Sequence, residues 1–209
     1  MTSDPVEPDV PLDGDSGHDP QTPHSVPSAE EPASALVASI RGLLEWIVVL
    51  VLAVAVALFL RAFVLQAFWI ESGSMETTLE IRDRVMINRL SYRIGEPGHG
   101  DIVVFDRPDG LDGDTQDLIK RVIAIGGDVV EGRDGRIFLN DVPQDETYLD
   151  AGVTTSNFGP VEVPDGYVWV MGDNRGRSSD SRVFGPVPVD SIAGKSFVRF
   201  WPLDRLGTP

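Results

Sequence analysis

Two serines separated by a glycine, in the stretch ESGSMETTLE at 71–80, follow a long apolar run. Ser and Gly favour turns, so the stretch reads either as a bend in the chain or as a nucleophile segment. A free hydroxyl attacks poorly at neutral pH and needs a base. The chain has three histidines. His18 and His24 fall in a polar N-terminal stretch, and His99 sits in the turn EPGHGD, where a solvated loop side chain is expected. Lysine is the other candidate base, because burial disfavours its charged form and draws its pKa toward the working pH. Arginine cannot serve, since it stays protonated. Only Lys120 and Lys195 among the 17 basic residues are lysines. Lys120 lies inside the apolar run LIKRVIAI, where a lone ammonium is costly unless neutral or paired. The alternative is that it points to the solvent face of its strand. Lys195 follows Ala-Gly at the start of a late apolar run and reads as a surface residue. A third polar concentration, MGDNRGRSSDSRVFGPV at 171–187, reads as an ordinary loop or as a hydrogen-bonded platform that positions a base.

The elements that must position these residues begin with an anchor. From Trp46 to Leu60 the sequence WIVVLVLAVAVALFL carries no charge, and apolar residues continue to about Ile70. A span needs about 20 predominantly apolar residues, and 41–66 is expected to be a transmembrane helix, with Arg61 snorkelling to an interface. A cleaved secretory signal would have a basic start and a shorter apolar core. Residues 1–40 instead carry eight Asp and Glu, no Lys or Arg, and many Pro and Ser. They are expected to form a disordered acidic tail. Arg41 and Arg61 flank the span, so the positive-inside count does not choose an orientation.

Composition narrows the chemistry. The absence of Cys excludes disulfides, thiolate metal sites and Cys nucleophiles. A net charge of −16 leaves no electrostatic footprint for nucleic acid. Residues 67–209 suffice for one domain. Their apolar runs are short and bounded by turn residues: RVMINRL, DIVVF, LIKRVIAI, RIFLN after Asp134-Gly135, YVWVM and SFVRF. That pattern predicts a mainly β fold, an antiparallel sheet or barrel. The more polar stretch at about 127–164 is expected to be a small lobe or an excursion from the main sheet.

In order, these segments resemble type I signal peptidases. S-G-S-M at 72–75, D-R-V at 83–85, G-D-I-V-V-F at 100–105, K-R-V-I at 120–123, G-D-N-R at 172–175, S-x-D-S-R at 178–182 and F-G at 184–185 carry the resemblance. It implies a membrane-bound serine endopeptidase that removes signal peptides from exported pre-proteins after small residues, Ala-X-Ala. Ser74 would be the nucleophile and Lys120 the base. The Ser74 N–H and the Ser72 hydroxyl would hold the oxyanion. Ser178 would orient the Lys120 amine, and Asp180 and Arg182 would support the final motif. Met75 would line the substrate region or sit in the core. No metal or cofactor is implied. The tail would be cytoplasmic and the catalytic domain outside the cell. Two positions depart from the family pattern, Glu71 and Thr77 standing where proline is usual. Self-cleaving repressors of the DNA-damage response share a Ser-Lys pair but lack a transmembrane anchor. A tethered β domain that binds peptides without cutting them, and a narrower peptidase for pilins or surface proteins, are the remaining alternatives.

Overall fold

The computed structural model describes residues 31–111 and 115–209. The expected disorder of the acidic tail, with His18 and His24, falls largely outside the described residues. The described residues divide into two units, with the boundary between Val49 and Leu50.

The N-terminal helix α1, Glu31–Phe63, begins earlier than expected and stops sooner. Its segment Ser39–Phe59, 21 residues of mean hydropathy 2.7, is long and apolar enough to cross a membrane. The run does not stay helical to its end, because Leu65–Trp69 forms a strand, β1. An apolar run of this kind fits either element by periodicity alone. Pairing decides it here, since β1 lies antiparallel to β2, Arg84–Asn88, with Leu65 opposite Asn88 and Trp69 opposite Arg84.

The remaining strands are β3 (Ile102–Asp106), β4 (Asp117–Ile125), β5 (Val129–Arg133), β6 (Arg136–Leu139), β7 (Val142–Pro143), β8 (Phe158–Glu162), β9 (Tyr167–Met171), β10 (Val187–Pro188) and β11 (Ile192–Trp201). They form a seven-stranded sheet in the order β1-β2-β11-β3-β4-β9-β10 and a four-stranded sheet in the order β7-β6-β5-β8. All pairings are antiparallel. The fold is therefore mainly β. The stretch at about 127–164 holds the second sheet. Its β5–β6 hairpin turns at Asp134 (φ 53°) and Gly135 (φ 78°), the left-handed pair that a two-residue hairpin requires.

β3 packs on both faces. Ile102 and Val104 join one core cluster with Met75, Leu79, Val85 and Ile87, while Val103 and Phe105 join another with Val122, Val168 and Val170. This explains why IVVF reads as a continuous apolar run rather than an alternating one. β4 lies between β3 and β9, and its Lys120 stands opposite Val103. A central strand leaves that lysine little access to water, which favours the buried reading over the solvent-facing one.

Candidate active site

Ser72 and Ser74 sit on the connection between β1 and β2. Hydrogen bonds from Ile70 N to Asp83 O (2.9 Å) and from Arg82 N to Ile70 O (2.8 Å) close its base. Within it, Gly73–Met75 forms a single 3-10 turn, whose internal bond runs from Glu76 N to Gly73 O. That leaves the Ser74 N–H outside the turn's own bonding. Met75 and Leu79 anchor the segment in the core, Met75 with no exposed surface. Of the two readings of Met75, its packing in the core cluster favours the core one.

The Lys120 amine lies 2.8 Å from Ser74 Oγ and donates to the Ile119 carbonyl at 2.9 Å. Ser72 Oγ is 3.3 Å from Ser74 Oγ. Ser74 is 6% and Lys120 2% exposed. Burial pulls the Lys120 pKa down to about 8; nearby Asp180 and Asp173 oppose this and Arg107 reinforces it. A minority of the amine is therefore neutral just above pH 7 and about half at pH 8, and that neutral fraction can take a proton from the hydroxyl it touches.

Ser178 does not bond to Lys120. Its hydroxyl is buried with no partner of good geometry, although it stands near enough to Asp180 to help keep that carboxylate charged. The Ile119 carbonyl is the other partner of the Lys120 amine. Asp180 caps the short helix Ser181–Phe184 and accepts from Arg182 N. It also accepts from Arg182 Nε at 2.8 Å and Gly172 N at 3.0 Å. Burial pushes its carboxyl up, but these bonds outweigh burial and hold it below the usual range.

The 172–182 loop grips the nucleophile turn through residues whose roles were not anticipated. Asn174 donates its backbone N–H to Ser74 O at 3.0 Å and its side-chain amide to Gly73 O at 2.9 Å and Glu76 Oε2 at 3.2 Å. Asp173 accepts a bidentate pair from Arg121 at 2.9 and 2.7 Å and a bond from Thr78 Oγ1 at 2.6 Å. It thereby ties the nucleophile segment to the residue after Lys120. A buried carboxylate needs such partners, and an Asp two residues past the apolar strand β9 was the one sign of its burial. The remaining candidates lie elsewhere: His99 bonds to Asp128 at 2.7 Å, and Lys195 pairs with Asp101 at 2.5 Å.

A cleft of about 410 Å³ is lined by residues 67–72, Val104 and residues 115–119. Its walls include two incompletely paired strand edges. β1 pairs only with β2, and β9 joins β4 only from Arg121 onward. Ser72 and Ile119 both border it, so the hydroxyl–amine pair adjoins a groove able to take an extended peptide by strand addition. No group of His, Asp and Glu suited to a metal occurs among the described residues.

A β-sheet domain that sets a serine hydroxyl against a buried amine beside such a groove has the parts of a serine peptidase. The family model for signal peptidase, peptidase S26, matches residues 43–201, and the chain belongs to this family. A probable signal peptidase I-2 of Synechocystis sp. is 43% identical over 160 residues, covering 76% of this chain and 73% of its own. The signal peptidase I of Leptolyngbya laminosa is 39% identical over 192 residues, covering 90% and 92%. Signal peptidase I S of Bacillus subtilis is 38% identical over 177 residues, covering 79% and 93%. A crystal structure of a signal peptidase I from Enterococcus faecalis is 32% identical, covers 48% of this chain and 96% of that one, and superposes with a TM-score of 0.41.

Proposed function

We propose that this member of the signal peptidase family is a membrane-anchored serine endopeptidase that removes signal peptides from exported pre-proteins through a Ser74–Lys120 dyad. The observation that carries this reading is the 2.8 Å contact between a buried amine and the Ser74 hydroxyl. Ser74 Oγ attacks the scissile carbonyl carbon while its proton passes to Lys120 Nζ. The oxyanion is held by the Ser74 N–H and the Ser72 hydroxyl, each such donor being worth about 10²–10³ in rate. The Lys120 ammonium then protonates the leaving amine, which becomes the N-terminus of the mature protein. Water, deprotonated by Lys120, attacks the remaining ester. The signal peptide leaves with a free carboxyl, and Ser74 regains its proton.

The groove beside Ser72 supports an extended substrate, and family resemblance supports small side chains before the cut, as in Ala-X-Ala. Resemblance also supports a cytoplasmic N-terminus and an extracytoplasmic catalytic domain. The apolar segment Ser39–Phe59 supports a lipid bilayer as the anchor's surroundings, and the net charge of −16 argues against nucleic acid as a partner.

The test is cleavage of a pre-protein with an Ala-X-Ala site, in detergent, by wild type, Ser74→Ala and Lys120→Ala. Cleavage after the second Ala by wild type alone is expected. Binding without cleavage by all three would instead make this a peptide-binding module. Protease accessibility of the tail in sealed vesicles checks the orientation.

A further inference from the structure

The loop that holds the nucleophile turn is itself held from the other side. Arg175 follows Asn174 in this loop, and its side chain is wholly buried. It donates to Gly172 O at 3.1 Å within its own loop. Its other partners come from 146–155, the stretch between β7 and β8 of the second sheet. Glu146 accepts from Arg175 Nη2 at 2.6 Å and from Nη1 at 3.2 Å. Thr155 accepts from Nη1 at 2.7 Å. Tyr148 donates its hydroxyl to Glu146 at 2.6 Å.

The same stretch reaches two other supports of the site. The Arg121 guanidinium, next in sequence to Lys120, lies 4.0 Å over the Tyr148 ring, within range of a cation–π attraction. Thr77, three places after Ser74, donates its hydroxyl to Asp150 Oδ1 at 3.0 Å. This is a bond that the proline usual in the family could not make. One segment of the second sheet therefore touches the loop under Ser74, the strand that carries Lys120, and the nucleophile connection itself.

We propose that Glu146 and Tyr148 are positioning residues for catalysis, which set the Ser74–Lys120 geometry by bracing the 172–182 loop and Arg121 from the second sheet. The proposal rests on the dyad reading above. A counter-charge that merely neutralised Arg175 would need one carboxylate; contact with three separate supports of the site is what a brace requires. Misplacing reacting groups by about 1 Å costs on the order of a hundredfold in rate, so a slackened brace should appear in turnover.

The experiment compares full-length wild type, Glu146→Gln, Tyr148→Phe, Ser74→Ala and Lys120→Ala in detergent. It measures kcat, KM and the thermal melt of each on the same pre-protein. Glu146→Gln keeps the shape and removes the charge. It is expected to lower kcat at least about tenfold with KM within about twofold of wild type. Wild-type kcat per folded molecule, with only the melt lowered, would overturn the proposal and leave Glu146 a structural counter-charge. Should Glu146→Gln fail to fold, Tyr148→Phe carries the test, since it deletes one hydroxyl and keeps the ring under Arg121. A fall in its kcat at constant KM supports the brace, and unchanged kcat overturns it. Inactive Ser74→Ala and Lys120→Ala beside a fully active Glu146→Gln would sink this proposal alone. Activity in either dyad variant would overturn the dyad reading and this proposal together.

Discussion

Asn174 and Ser74 are joined backbone to backbone, Asn174 N donating to Ser74 O at 3.0 Å. The Asn174 amide adds a second bond, to Gly73 O, across 101 residues of sequence. The turn that carries Ser74 is thus fixed by its own single internal bond and by a loop from the far half of the chain. Asn174→Ala keeps the backbone bond and loses the side-chain ones. It should lower kcat about ten- to a hundredfold while costing about 1–2 kcal/mol of stability. Steady-state kinetics with a parallel denaturant titration reads both, and full kcat would mean that the turn holds itself.

Gly172 has no room for a side chain. A Cβ there would collide with the Ser74 carbonyl and with the Ser178 hydroxyl. The Ser74 oxygen is backbone and Ser178 Cβ would be equally close, so turning the hydroxyl away does not suffice and the backbone must move. Gly172→Ala is expected to destabilise the domain by about 1–3 kcal/mol and to abolish most turnover by displacing Ser74. A variant with wild-type melting and kcat would show that the two segments separate freely.

On the proposed dyad, the protonation state of Lys120 sets the rate. Burial lowers its pKa from 10.5 to about 8, and only the neutral amine accepts the Ser74 proton. The kcat/KM of the free enzyme should therefore rise with pH along a limb centred near 8, and Lys120→Arg should be as inactive as Lys120→Ala. A limb near 10, or activity in the Arg variant, would remove Lys120 as the base.

The same shift acts on stability. The folded state releases this proton near pH 8 and the unfolded state near 10.5. Between these values the unfolded chain binds more protons, so stability rises with pH across that window. The stabilisation is complete above the unfolded value and is lost as pH falls through about 8. Relative to Lys120→Met, in which other titrating groups largely cancel, wild type should gain up to about 3 kcal/mol over this range. Denaturant melts at pH 7 and pH 10 give the difference; its absence would mean that Lys120 is charged in the folded protein.

Much of the scaffold was legible because short apolar runs and turn residues report strands directly. β2, β3, β4, β6 and β9 fall on runs singled out by pattern, and the Asp134-Gly135 turn on its dipeptide. β1 was hidden because AFVLQAFWI continues the apolar span, and only pairing with β2 separates strand from helix there. In the site, Lys120 stood out as one of two lysines in an apolar run. Met75 was ambiguous, since core and groove accept the same side chain. Ser178 was ambiguous for a different reason: a hydroxyl two residues from Asp180 can serve the carboxylate or the amine, and sequence spacing does not choose. The partners of Arg121 and Arg175 were invisible. Asp173 is 52 residues from Arg121 and Glu146 is 29 from Arg175, distances at which no local periodicity carries information.

The place of β11 in the main sheet also governs the order in which this protein can be made. Lys195 pairs with Asn88 of β2 on one side and with Val103 of β3 on the other. A strand late in the chain is therefore the seam between the β1–β2 hairpin, which carries the serine, and the β3–β4 hairpin, which carries the lysine. A nascent chain that has not yet delivered residues 192–201 holds the two hairpins with no strand between them. Such late, long-range closure is slow. Proteolytic competence should thus appear in one step, after the ribosome has released that strand, and a growing chain would be unable to cut either itself or its neighbours before then.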